Sequence, residues 1–154
     1  MTDVPPIPVL DLDRGGGWQV AVEDWNRCFG RLRLKGGGVD AGVHVERCAA
    51  GRLRDAYPVG ARDVEVRVTD AVADEALTAL LRELAEAVQR ADPECRRVVY
   101  AAPEGDAGQV AAAECAGFRR VVDVDLADRQ LSLLVVEPDW VTRTDIDLDR
   151  VPET

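Results

Sequence analysis

Two periodicities divide this chain. Before residue 70 apolar positions mostly alternate with polar ones, the period of a half-buried strand. Residues 1–8 are proline-rich and predict an extended arm, and "PVLDLD" (8–13) predicts a short strand. A glycine turn then precedes an alternating segment from Trp18 to Glu23, read as a strand. Phe29, Leu32 and Leu34 alternate against Arg31, Arg33 and Lys35. Gly36 to Gly38 turn the chain into "AGVHVERC", so the two segments predict a β-hairpin. Residues 49–62 predict a loop or broken helical turn, and "DVEVRV" (63–68) predicts a strand.

Beyond residue 70 the spacing changes. Val72, Ala76, Leu77, Leu80, Leu81, Leu84 and Val88 fall on one helical face, predicting a helix over 72–90. Asp92-Pro93 stops it, because proline cannot continue a helix and restricts the residue before it. The apolar run 96–102 suits a buried strand. Residues 105–116 predict a short alanine-rich helix, with Gly117 as the left-handed residue after it and Phe118 packing behind. "RRVVDVDL" and "QLSLLVVEP", joined by "ADR", predict a closing hairpin. An acidic tail, 138–154, follows. The whole reads as a single domain, 1–154, of the α/β (α+β) class: a mixed sheet covered by two main helices.

Composition narrows the partners. The 154 residues carry a formal net charge of −10, and Lys35 is the only lysine. Nucleic acid and anionic membrane surfaces both require a basic face, so both are disfavoured, whereas a basic protein partner or a small-molecule ligand suits the charge. No apolar run approaches a membrane span, and the N-terminal stretch lacks the basic and apolar regions of a signal peptide, so a cytoplasmic location is expected. Exposed edge strands and a small N-terminal half suggest a homodimer. Cys28, Cys48, Cys95 and Cys115 form no CxxC pair, so no metal site is expected and the thiols are read as free and buried. Trp18, Trp25 and Trp140 read as core or interface residues, and the glycine triplets 15–17 and 36–38 as turns, without P-loop or dinucleotide spacing. His44, between Val43 and Val45, points away from them. It is the one side chain whose unperturbed pKa lies near neutrality, and so a candidate base beside the alternative of a structural histidine.

The second half resembles the GCN5-related N-acetyltransferase (GNAT) superfamily. The resemblance rests on the strand 63–68, the helix 72–90, the strand 97–102 and "AAAECAGFRRVVDVDLADRQLSLLVVEP", and it covers about residues 63–137. It implies a mostly antiparallel sheet with a splayed central strand pair, opening between the strand that ends near Val68 and the one that begins near Arg97. Acetyl-CoA would lie there, its pyrophosphate on the start of the following helix, where backbone N–H groups and the helix dipole favour an anion.

The family's loop motif maps onto "VADEAL". Val72 stands at the basic or amide position, Glu75 and Leu77 at the two glycines, with Val68, Asp74 and Ala76 beside them. Asp106 stands where the family often has a cofactor-contacting Asn, and Ala113 where it has a Tyr that can protonate the leaving thiolate. A Glu near this strand can be the family's general base; here that is Glu65, with the alternative that it faces solvent on an alternating strand. These substitutions predict an impaired acyl-CoA site with no cofactor expected, and a non-acetylating small-molecule enzyme or a binding protein. The alternative is an acyl-CoA-dependent N-acyltransferase acting on a small amine or basic substrate. On the first reading Asp70 caps the helix, and Asp74 and Glu75 sit where the dipole favours negative charge.

Overall fold

The computed structural model describes residues 4–12 and 17–138. Seven strands form one sheet in the order β1-β2-β3-β4-β5-β7-β6. Strands β1 (Gln19–Trp25), β2 (Phe29–Gly36), β3 (Val39–Arg47) and β4 (Val64–Val68) form an antiparallel meander. Its β2–β3 turn uses Gly37 and Gly38, with φ of +57° and +83°, values that side-chain-bearing residues rarely adopt. Helix α1 (Asp74–Ala91) crosses over to β5 (Val98–Pro103), which pairs with β4 in parallel. Helix α2 (Ala107–Cys115) leads to the hairpin of β6 (Arg119–Asp125) and β7 (Gln130–Val136), with β7 beside β5.

The helical spacing of Leu77, Leu80, Leu81, Leu84 and Val88 buries that stripe of α1 against the sheet. There it meets Val64 and Val66 of β4 and Tyr100 of β5. Gly117, at φ +101°, ends α2, and the Phe118 amide donates back to the Ala113 carbonyl at 3.1 Å. A smaller cluster covers the other face of the sheet: Cys48 and Leu53 from the 48–62 segment pack with Val99, Ala101, Leu131, Leu133 and Val135. Among the described residues no helix is long and apolar enough to cross a membrane.

Three expectations are corrected. Residues 8–12 form no strand. Ile7, Leu10 and Leu12 are buried in the main core instead, and the arm is held by Arg47, which donates to the Pro5 and Pro6 carbonyls at 3.0 and 2.9 Å. The thiols are free but not all buried: Cys48 and Cys95 are, Cys28 is half-buried and Cys115 is exposed. Asp70 does not cap α1. The cap position is Ala73, which has no capping side chain, while Asp70 accepts from the Gly42 amide at 2.8 Å and from Arg33 at 3.1 Å. The strand predicted at 8–13 extends into residues outside those described, as do Trp140 and nearly all of the acidic tail.

Candidate functional site

The site begins with a failure of pairing. Strands β4 and β5 share two paired positions, Val64 with Val98 and Glu65 with Val99, and then diverge. The gap between them is walled by Val68, Tyr100 and Gln109, and it opens on both sides of the sheet.

On the helix side lies a cavity of about 270 Å³ lined by Val68, Val72, Leu77, Tyr100 and Gln109, with the carboxylates Asp70, Asp74 and Asp106. No Lys or Arg lines it. Asp74 is the first residue of α1, and its carboxylate lies over α2: a Cβ built on Gly108 would stand 2.9 Å from its Oδ2. Asp106 caps α2, accepting from the Gln109 amide at 3.0 Å and from Gln109 Nε2 at 2.9 Å. Gln109 Oε1 in turn accepts from the Tyr100 hydroxyl. Desolvation, with Asp106 and Asp74 nearby, pushes the Tyr100 phenol up to about 12, so it remains a hydrogen-bond donor at neutral pH. Of the residues predicted from sequence, Val68, Asp74, Leu77 and Asp106 meet here. Glu75 is exposed, and neither it nor Ala76 lines the cavity.

On the opposite side a cavity of about 400 Å³ is lined by Arg52, Arg67 and Arg129 together with Thr69, Ala101 and Leu131, and by no carboxylate. Beneath it lies the acidic layer that holds two of these arginines. Glu65 is fully buried, not solvent-facing, because the 48–62 segment covers this part of the sheet. Arg52 Nη2 donates to Glu65 Oε2 at 2.6 Å, and Arg67 Nη2 to Glu46 Oε1 at 2.6 Å. Burial pushes the Glu65 carboxyl up, against the pull of Arg52, and leaves it above its ordinary value. Burial also pushes Glu46 upward, but the neighbouring His44 and Arg67 outweigh it and hold that carboxyl below its ordinary value. His44 stacks on Phe29 with ring centroids 5.2 Å apart, and its Nε2 stands 3.6 Å from Glu46 Oε2, beyond hydrogen-bond reach. Neither His44 nor Glu65 lines either cavity, so the two candidate bases lie behind the arginines rather than in the gap.

Sequence reasoning missed Tyr100, Gln109, Arg52 and Arg129. The single signal was Tyr100 itself, one hydroxyl in the aliphatic run "VVYAA". The others reach the gap only through the fold.

No protein-family profile matches the chain, and no curated protein matches it in sequence. Solved structures do. Aminoglycoside acetyltransferase AAC(6')-Ib in complex with ribostamycin and coenzyme A is 17% identical, with a TM-score of 0.63 over 76% of this chain and 68% of that one. The same enzyme with coenzyme A gives 0.61 at 17% identity over 77% and 71%. An uncharacterized protein from Bacillus halodurans gives 0.64 at 14% identity over 73% and 60%. The chain has the GNAT acetyltransferase fold, as its order of elements predicts.

Proposed function

We propose that this GNAT-fold protein holds a small ligand with a cationic group in its central cleft, in place of acyl-CoA, and works as a binding protein or a CoA-independent enzyme. The observation that carries this reading is the lining of the helix-side cavity: Asp70, Asp74 and Asp106, with no Lys or Arg; Asp70 is already paired with Arg33 from outside it at 3.1 Å, so the cation would be met chiefly by Asp74 and Asp106. These residues do not fit a diphosphate. A phosphate charge about 4 Å from one such carboxylate costs on the order of 4 kcal/mol at an effective dielectric of 20. The helix dipole offsets only about 0.3–1 kcal/mol of that. The same lining suits an ammonium or guanidinium group, with Tyr100 adding an aromatic wall. Among the described residues no group of three or more His, Cys, Asp or Glu is placed to hold a metal ion.

A second reading, an acyl-CoA-dependent N-acyltransferase acting on a small amine, draws support from the open β4–β5 splay and from the coenzyme A bound to the AAC(6')-Ib neighbours. Calorimetry separates the two. The first reading expects heat of binding with spermidine and none with acetyl-CoA at millimolar concentration. Saturable acetyl-CoA binding that spermidine does not oppose would overturn it.

A further inference from the structure

The two mouths of the gap carry opposite charge. The helix-side cavity is lined by three carboxylates and no base, the opposite one by three guanidinium groups and no acid. Both share Val68, Tyr100 and Gln109 as walls, so they meet where β4 and β5 part. We infer that the ligand is a zwitterionic small molecule lying through this gap, its ammonium group among Asp70, Asp74 and Asp106 and its carboxylate on Arg67 and Arg129. This rests on the cationic-ligand reading above and adds the second half of the ligand.

The arginines differ in how fully they are engaged. Arg52 gives Nε and Nη2 to Glu65 and is the best satisfied of the three. Arg67 gives Nη2 to Glu46, but its buried Nε has no hydrogen-bond partner, and Glu65 Oε2 stands 3.8 Å away. Arg129 pairs with Asp128, its chain neighbour, at 3.2 Å, and both side chains are more than half exposed. Such a pair contributes little and exchanges readily for a ligand carboxylate. Glu46 and Glu65 compensate two of the arginines from behind and leave guanidinium N–H groups as the surface a ligand meets. A guanidinium matches a carboxylate in bidentate geometry, which a point charge does not.

The test is a titration of the full chain, followed by NMR chemical shifts, with putrescine and with four matched pairs: β-alanine and ethylamine, γ-aminobutyrate and propylamine, ε-aminocaproate and pentylamine, lysine and cadaverine. One zwitterion is expected to bind about tenfold more tightly than its matched amine lacking the carboxylate. Arg129→Ala, at an exposed position that the fold does not depend on, is expected to abolish that advantage and to leave putrescine binding unchanged. Asp74→Asn is expected to weaken both. If putrescine binds but no zwitterion exceeds its matched amine, or Arg129→Ala changes nothing, the inference falls and the cationic-ligand reading stands. If putrescine fails to bind and Asp74→Asn has no effect on any probe, both fall.

Discussion

Arg52 Nη2 lies 2.6 Å from Glu65 Oε2, and this contact makes the polar face of β4 an interior one. Alternation of Val64, Glu65, Val66 and Arg67 assigns Glu65 to the face away from the helices. The 48–62 segment then covers that face, leaving the Glu65 side chain 1% exposed. Glu65→Ala leaves Arg52 without its partner in a largely dry site and is expected to destabilise the fold by about 3 kcal/mol. Urea unfolding followed by tryptophan fluorescence measures it; a loss under about 1 kcal/mol would mean that solvent reaches the pair.

The same cluster has a pH signature. Glu65 titrates above its ordinary value of 4.5, so its contribution to stability is full below that value and is lost as pH rises through its folded-state pKa. Glu46 titrates below 4.5, so its contribution is present above that value and lost as pH falls through its folded-state pKa. The two oppose each other on acidification. Glu65→Gln removes the half that favours the folded state in acid. Its urea midpoint is therefore expected to fall more steeply than the wild type's as pH is lowered from neutral through 4.5, and a parallel fall in both would contradict the assignment.

Arg47 is a fully buried cation whose role depends on number of bonds rather than on charge alone. It donates to the Pro5, Pro6 and Arg62 carbonyls and, at 2.8 Å, to Asp92. These contacts join the arm, the 48–62 segment and the end of α1. Arg47→Lys keeps the charge but not the planar fork, and so leaves carbonyl acceptors unmet. A loss of about 2–4 kcal/mol is expected, with faster hydrogen exchange over residues 4–12. Unchanged exchange in the arm would show that Ile7, Leu10 and Leu12 hold it without Arg47.

Most of the fold is legible in the sequence because it rests on local periodicity. The apolar stripe from Leu77 to Val88, the stop at Asp92-Pro93, the Gly117 terminus and the closing hairpin are all set by residues near one another in the chain. The arm is not legible in this way. "PVLDLD" alternates like a strand, but its backbone finds no partner strand, and Leu10 and Leu12 are fixed by core packing instead. The site was half legible. Asp74 and Asp106 could be placed by counting from helix landmarks. Gln109 takes its role from Tyr100, and Arg129 from the β6–β7 turn meeting the 48–62 segment, contacts that no spacing records.

Ala73 shows what the start of α1 lacks. It has the extended conformation of a cap residue, φ −65° and ψ 155°, but no side chain to bond the first free amides. Asp74 and Glu75 supply charge to the helix dipole without supplying that bond. Ala73→Ser is expected to raise stability by about 1 kcal/mol, read from the urea midpoint at unchanged slope. No gain would mean that neighbouring groups already satisfy these amides.

Gly108 sets a competition between helix stability and the position of Asp74. Alanine is favoured over glycine inside a helix by about 0.8–1 kcal/mol. The added methyl, however, would stand 2.9 Å from Asp74 Oδ2. That atom is the far end of an exposed side chain, so it can swing aside at small cost and the helical gain wins. Gly108→Ala is therefore expected to be more stable than the wild type by about 0.5–1 kcal/mol. The displaced carboxylate no longer faces the cavity in the same place, so spermidine affinity is expected to fall severalfold in the same variant. Stability and affinity moving in opposite directions is the discriminating result. If stability rises while affinity is unchanged, Asp74 has no part in holding the cation, and the binding would have to be assigned to Asp70 and Asp106 alone.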